Sequence, residues 1–333
     1  MKRLLVAMFT VAGIFASVLV TGCSDQTAPE EQAPIGVTNE EAAMTYFATN
    51  DEFVRNDEVT FHDLSVEPLD YGTFGKVDAG ITPLRFARVV TGVTRTVTTT
   101  VQPGDTMAVA YVKKDITGVF KIKAVTAEQE TVLIEKPFND VAERNIIFKR
   151  IARNTRQYWL NWVPVAVSLV KGGTVAPNNT IAITELTLFL PDGETVTISD
   201  PTSYYLYYRW VHMFQGSIGQ GANRMKNVPE LIGGQPVRLQ VKLESASPDT
   251  DIVALRYGFA GLNGRRMRMN LVSETFNGEK YVRVYEISRT QPAYMHFYRG
   301  HFHMGVDAIT HDTVFDDAAP YAASWWGVPY RVF

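Results

Sequence analysis

Residues 93–105 read VTRTVTTTVQPGD, and this stretch decides the fold class. Val93, Arg95, Val97, Thr99 and Val101 alternate with a threonine at every intervening position. Branched side chains repeating with a period of two are typical of a β-strand, because they fit the pleated surface. The Gln-Pro-Gly-Asp sequence that follows predicts a turn, so the stretch predicts a strand that folds back on itself.

The same period-two signal recurs on both sides of this stretch, and it predicts a mostly β protein. Residues 237–244 show it most clearly, with Val237, Leu239, Val241 and Leu243 directed inward. Turns at 191–193, 263–264 and 277–278 predict hairpins. The predicted strands cover residues 86–101, 107–112, 118–124, 145–152, 158–170, 181–190, 194–199, 237–244, 252–259, 266–273, 280–287, 294–304 and 322–332.

Helical signals are confined to the residues that precede these strands. Thr38–Glu41 predicts a capping box with Thr38 as N-cap, and apolar residues follow it at helical spacing as far as Phe47. A second helical piece is predicted at 51–56. Helices followed by an antiparallel sheet over residues 38–169 resemble the SnoaL-like cone fold, in which N-terminal helices pack inside a curved sheet. That resemblance implies a cavity, in which enzymes of the fold place a polar His/Asp pocket. The sequence departs from the family there: His62, Asp63 and Asp70 are the candidates nearby, and a polar loop is the alternative.

A boundary is predicted where glycine, proline and asparagine cluster at 171–179. Beyond it the pattern is all strand, and short antiparallel strands at this spacing resemble an immunoglobulin-like β-sandwich, without its Cys-Trp-Cys core. We therefore expect an N-terminal α+β SnoaL-like domain at 38–169, followed by an immunoglobulin-like β-sandwich domain at 172–333.

The amino terminus predicts export. Lys2 and Arg3 precede the uncharged run Leu4–Val20, which is short for a transmembrane span and lacks a stop-transfer charge cluster. Its ending, Leu19-Val-Thr-Gly-Cys23, resembles the bacterial lipoprotein signal. That resemblance implies a signal peptide at 1–22, lipidation of Cys23, and a lipidated tether at 23–37. The alternatives are an ordinary cleaved signal with a chance cysteine and a buried N-terminal helix.

The location follows from the same resemblance. Ser24 after the cysteine favours the outer membrane in the Gram-negative class, at the periplasmic face or the cell surface. Several acyl chains give stable membrane attachment.

Cys23 is the only cysteine, so no disulfide can form within the chain. The net charge of −3 gives no argument for nucleic acid or for electrostatic docking to a membrane.

The sequence His301-x-His303-x-Gly305-x-Asp307 is the strongest candidate for a metal site. On a strand, residues two apart share a face, so these three side chains can point the same way. Two histidines at this spacing can chelate a metal, and the shell can be completed by His296, His311 or Asp312. The alternative is a strand whose histidines are hydrogen-bonded or lie at the surface.

A second candidate is the aromatic run at 204–210, which reads YYLYYRW. On a strand, Tyr204, Tyr208 and Trp210 share one face. Aromatic side chains with polar tips suit interfaces, so this face is a candidate binding surface for sugars or a partner protein. The alternative is a strand buried between two layers.

No sequence motif indicates a catalytic set. The glycine-rich segment 216–221 lacks the Lys-Ser/Thr ending of a phosphate loop, and no Gly-x-Ser-x-Gly elbow occurs. We predict a lipid-anchored cell-envelope protein acting as a non-catalytic binding or assembly module, without a cofactor. Its partners are the membrane, through the lipid, and an envelope protein or a glycan. Two alternatives stay open: a ligand carrier or enzyme using a pocket in residues 38–169, and a metal-dependent hydrolase using the His301/His303/Asp307 face.

Overall fold

The computed structural model describes residues 39–50, 67–68, 81–153, 156–207, 228–258, 265–290 and 302–332. The helices in these ranges are α1 (Glu40–Asn50) and α2 (His311–Phe315). The strands are β1 (Glu67–Pro68), β2 (Ile81–Val101), β3 (Met107–Thr126), β4 (Thr131–Arg150), β5 (Trp162–Ser168), β6 (Val170–Thr174), β7 (Ile181–Phe189), β8 (Thr195–Ile198), β9 (Tyr205–Tyr207), β10 (Glu230–Leu231), β11 (Pro236–Ser245), β12 (Ile252–Gly258), β13 (Arg265–Arg268), β14 (Asn270–Phe276), β15 (Tyr281–Thr290), β16 (Phe302–Ile309) and β17 (Ala323–Val332).

The predicted mostly β class with antiparallel sheets is confirmed. A twelve-stranded sheet runs in the order β1-β2-β3-β4-β6-β17-β16-β12-β13, with β5 and β9 attached to β4 and β10 attached to β17. A five-stranded sheet runs in the order β14-β15-β11-β7-β8. Among the described strands the pairing is antiparallel, except that β10 runs parallel to β17.

Three long strands, β2, β3 and β4, form one arm of the larger sheet. They contain 21, 20 and 20 residues, which corresponds to about 65 Å at ~3.3 Å per residue. The sequence predicted two strands where β3 is continuous. It continues because Lys113–Thr117 keeps the alternation: Lys114 and Ile116 are buried, while Lys113 and Asp115 form an ion pair of 2.9 Å on the other face.

The two sheets pack through a shared apolar core. Inward residues of β7, β11 and β15 belong to the same cluster as those of β12, β16 and β17. The predicted alternation of β11 is confirmed, with Val237, Leu239, Val241 and Leu243 buried. A hydrogen bond of 3.1 Å from the Ile183 amide to Ser324 Oγ joins the sheets directly.

One predicted strand, 266–273, is divided between the two sheets. β13 pairs with β12 in the larger sheet and β14 pairs with β15 in the smaller one. Met269 lies at the crossing: its side chain is buried and its amide donates to the Val253 carbonyl at 2.8 Å. The period-two pattern persists through the crossing, so it does not reveal the change of sheet.

The larger sheet is continuous across the junction between the two predicted domains, 38–169 and 172–333. β6 lies between β4 and β17, so strands of both predicted segments share one sheet. The described residues between 34 and 333 belong to one compact unit. A Cβ on Gly172 would lie 2.1 Å from the Trp325 ring, so this close approach requires glycine.

Helix α1 is joined to the arm at both of its ends. The Asn39 side chain accepts the Ala42 amide at 2.8 Å and caps the helix, whereas the predicted cap, Thr38, lies outside the described residues. Phe47 packs edge-to-face on Phe148. Arg95 of β2 donates to the Thr49 carbonyl at 2.9 Å, which suits a cation at a helix C-terminus.

The Glu40 carboxylate holds the start of α1. It accepts two hydrogen bonds from Arg150, of 2.6 and 2.7 Å, one from Asn161 at 2.8 Å and one from the Trp162 indole at 2.9 Å. Arg150 also donates to Asp105 at the turn between β2 and β3. Burial opposes ionisation of Glu40, but these donors outweigh it and lower its pKa.

Within the described part of the chain, neither helix has the length and apolar character to cross a membrane.

Candidate functional site

The outward face of the long arm carries the polar and aromatic side chains of the candidate site. Even residues of β3 and β4 are buried, so odd residues point to the opposite face. Thr98, Tyr111 and Asn145 lie side by side on this face, in register across three strands. The Asn145 amide donates to Ser168 Oγ at 2.8 Å, which extends the row to β5.

Strand β9 adds two tyrosines to this face. Tyr205 pairs with Ser168, and Tyr207 pairs with Ala166, the residue opposite Ile147 of β4. Leu206, between the two tyrosines, is fully buried. Tyr207 is 43% exposed. We call Tyr111, Glu143, Asn145, Tyr205 and Tyr207 the outer patch.

Hydrogen bonds fix the polar groups of the outer patch. The Tyr111 hydroxyl donates to Glu143 Oε1, and burial together with this carboxylate raises the pKa of Tyr111 to about 12. The Asn145 side chain donates to the Thr202 carbonyl at 3.2 Å and is hydrogen-bonded to Tyr205. The patch therefore combines aromatic rings with a carboxylate and an amide whose orientations are set.

The binding surface predicted from the sequence is the opposite face of the 204–210 run, formed by Tyr204, Tyr208 and Trp210. Tyr204 is half-buried and packs against the main core, and burial raises its pKa. Tyr208 and Trp210 lie outside the described residues, so the binding role of that face stays a prediction. Within β9 the aromatic residues that reach the surface are Tyr205 and Tyr207, which the alternation had assigned to the opposite face.

The predicted metal residues are only partly described. His301 lies outside the described residues, and His303 is placed in β16 opposite Gly258. Asp307 is buried, and both of its carboxylate oxygens accept from Arg88, at 2.7 and 2.8 Å. Arg256 approaches the same carboxylate at 3.3 Å. Asp307 thus serves an ion-pair network, and the metal site at His301, His303 and Asp307 stays a prediction.

The network around Asp307 joins distant parts of the chain. Arg88 Nε donates to the Tyr321 hydroxyl at 2.7 Å, and this hydroxyl donates to Asp140 at 3.1 Å. Thr174 donates to the other Asp140 oxygen at 3.0 Å. β2, β4, β6 and β16 are therefore connected through ion pairs and hydrogen bonds, which offset the cost of burying their charges.

The two carboxyl groups of this network have opposite pKa shifts. Burial raises the pKa of Asp140 to about 6, and the Arg88 charge and two hydroxyl donors only partly oppose it. Burial acts in the same direction on Asp307, but Arg88 and Arg256 outweigh it and hold its pKa below the ordinary value. Sequence reasoning missed this network, although Arg88 and Asp140 fall at buried positions of β2 and β4.

The predicted cavity residues His62, Asp63 and Asp70 also lie outside the described residues. Part of the inner face of the described strands of that segment is covered by side chains of a second apolar cluster, including Phe86, Phe120 and Phe138. A pocket in residues 38–169 stays a prediction.

Comparison with protein-family models, with curated proteins and with solved structures found nothing that matches this chain. The functional argument therefore depends on the geometry of the chain itself.

Proposed function

We propose that this chain is a lipid-anchored cell-envelope protein that acts as a non-catalytic binding module, and that its outer patch binds a glycan of the envelope. The anchor is supported by the Leu19–Cys23 ending of the apolar run and by the polar tether that follows it. The localisation at the outer membrane belongs to the same proposal, because it depends on the same signal.

The single observation that carries glycan binding is the outer patch. Sugars present flat faces of C–H groups bordered by hydroxyls, so they need an aromatic surface beside hydrogen-bonding groups. Tyr205 and Tyr207 supply partly exposed rings, while Glu143 supplies acceptors. Tyrosine offers large contact area with two rotatable side-chain angles, and this limits the entropy cost of binding.

We also propose the two domain types that the sequence predicted. Packing of α1 on the inner face of the long arm supports a SnoaL-like arrangement for residues 38–169. Two antiparallel sheets that share a core support an immunoglobulin-like sandwich for residues 172–333.

The test is co-sedimentation of the purified full-length protein, in detergent, with isolated peptidoglycan sacculi. We expect Tyr207→Ala and Tyr205→Ala each to weaken binding by about three- to tenfold, the range for loss of one aromatic contact. Phe276→Ala is the matched control, because Phe276 is an exposed aromatic residue of the other sheet, 54% exposed. Equal binding by all four proteins, or no binding by any of them, would contradict the glycan proposal.

A protein partner gives a different result in the same preparation. If sacculi stripped of bound proteins capture nothing, while unstripped sacculi capture the chain in a Tyr207-dependent way, the outer patch binds an envelope protein. That result would retain the binding module and overturn the glycan as its ligand.

A further inference from the structure

Helix α2 begins beside a loop that contributes a third potential metal ligand. His311 and Asp312 open the helix, and Asp249 lies in the loop between β11 and β12. Within the described part of the chain, these three residues place one ligand atom each within 4.8 Å of one another. The sequence named His311 and Asp312 as shell residues for another site, but it gave no reason to join them to Asp249.

The distances around the imidazole match a coordination shell better than a hydrogen bond. His311 Nδ1 lies 3.8 Å from Asp249 Oδ2 and 3.6 Å from Asp312 Oδ1. Hydrogen bonds from nitrogen to oxygen are about 2.7–3.2 Å long. Two ligand atoms on a tetrahedral zinc ion, each about 2.0–2.2 Å from the metal, are about 3.4 Å apart.

Neighbours outside the group hold the side chains of His311 and Asp312 in place. The His311 ring stacks on buried Phe315, with centroids 4.3 Å apart and planes 13° apart. Ser247 Oγ donates to Asp312 Oδ1 at 3.2 Å. Such outer contacts orient metal ligands in known sites. The side chains of His311, Asp249 and Asp312 are 24%, 64% and 45% exposed, so an ion can reach them from solvent.

The surrounding charge also favours a cation. Asp316 and Asp317 follow α2, and Lys136 faces these carboxylates. Its ammonium is already engaged by the Asp316 carbonyl. Burial lowers the pKa of Lys136 to about 8, with the neighbouring carboxylates opposing that shift. Among the described residues, the carboxylates of Asp249, Asp312, Asp316 and Asp317 outnumber the cations Lys136 and Arg283, the second of which donates to the Ser247 and Pro248 carbonyls beside Asp249.

We propose that Asp249, His311 and Asp312 form a binding site for a divalent transition metal, with Zn²⁺ as the best fit. One imidazole and two carboxylates are ligands that Zn²⁺ accepts, and three protein ligands leave a fourth position open. The site is separate from the outer patch, so its success or failure does not decide the proposed function.

Isothermal titration of Zn²⁺ into the chelator-treated full-length protein tests this site. We expect one saturable ion per chain, and at least tenfold weaker binding in His311→Phe and in Asp249→Asn. His311→Phe removes the ligand nitrogen but keeps an aromatic ring to stack on Phe315. Asp249→Asn changes an exposed loop residue, so loss of the fold would not explain its effect.

Asp317→Asn is the matched control, since it removes a neighbouring carboxylate that is not a ligand: it should weaken binding far less than His311→Phe or Asp249→Asn does. Anomalous diffraction at the zinc edge should place the ion between His311 and Asp249. The proposal is overturned if no saturable binding occurs below about 1 mM. It is also overturned if His301→Ala with His303→Ala abolishes binding while His311→Phe retains it.

Discussion

Arg88 carries a positive charge that is completely removed from solvent, and its guanidinium donates to both carboxylate oxygens of Asp307 and to the Tyr321 hydroxyl. A bidentate contact of this kind fixes direction as well as distance. Because the Tyr321 hydroxyl also donates to Asp140, the network holds β4 and β16 at set positions. The apolar clusters around the network stabilise the fold by burying apolar surface, and the network fixes the orientation of the strands that it joins.

Asp140 makes the stability of the protein depend on pH. Its pKa is raised to about 6 in the folded state, whereas an unfolded aspartate titrates near about 3.9. The stabilisation that it contributes is therefore present below about pH 4 and is lost as the pH rises through about 6. We predict that the free energy of unfolding of Asp140→Asn, relative to the natural chain, increases by up to about 3 kcal/mol between pH 4 and pH 7.

Chemical denaturation of both proteins across that pH range measures the difference. Asparagine keeps an acceptor for Thr174 or Tyr321 but cannot ionise, so the comparison isolates the titration. Asp251, whose pKa burial also raises to about 6, is unchanged in both proteins and cancels in the difference. Parallel stability curves for the two proteins would contradict the prediction.

At the scale of secondary-structure elements, α1 depends on its contacts with the arm. The helix has 11 residues, and isolated helices of this length are marginal in water. Met44 and Ala48 are buried against the arm, and the Glu40 carboxylate collects four hydrogen bonds at the N-terminal end. Docking, more than helix propensity, therefore keeps α1 formed.

We predict that Glu40→Gln lowers the free energy of local unfolding of α1 by about 1–3 kcal/mol, because the carboxylate loses its charge-assisted hydrogen bonds to Arg150. Hydrogen exchange at the amides of residues 43–50 should become faster by the corresponding factor. Glu41→Gln is the control: it makes the same chemical change at the neighbouring residue, which is exposed. Similar exchange rates in the two variants would show that the carboxylate of Glu40 does not hold the helix.

Strand β14 shows how an exposed edge is kept from pairing with another chain. All seven of its residues are exposed, including Leu271, Val272 and Phe276. A bulge between Leu271 and Ser273 interrupts the register, and Glu274 is drawn to Arg283 of β15. Bulges and charges on an edge disfavour the addition of a further strand. For this reason the outer patch, and not this edge, carries the proposed binding function.

For the whole molecule, the proposed placement in the envelope depends on Cys23. We predict that Cys23→Ser moves the protein from the membrane fraction to the soluble fraction, because the acyl chains supply the attachment. Ser24→Ala is the control and should remain with membranes. Fractionation followed by detection of the chain measures both. A Cys23→Ser protein that sediments with membranes as the unaltered chain does would contradict the lipid anchor.

The parts of the fold that were predictable depend on local signals. The strands of β2 and β11 follow from alternation, and the hairpin of β7 and β8 follows from its Pro-Asp-Gly turn, where Gly193 has a φ of 89°. The capping prediction was one residue away from the observed cap, Asn39. The aromatic run at 204–210 was recognised as a candidate surface, but the choice between its faces needed the pairing of β9 with β5.

The sequence by itself determined the β class, most strand positions and the expectation of a lipid-anchored amino terminus, because periodicity, turn residues and a signal peptide act over a few neighbouring residues. Only the tertiary structure decided which strands pair. Gly173 of β6 and Ser324 of β17 come from distant parts of the sequence and are paired across the two strands. Backbone hydrogen bonds between strands are nearly independent of side-chain identity, so such pairing leaves little trace in local sequence. The same long-range folding brings Arg88 to Asp307 and Asp249 to His311.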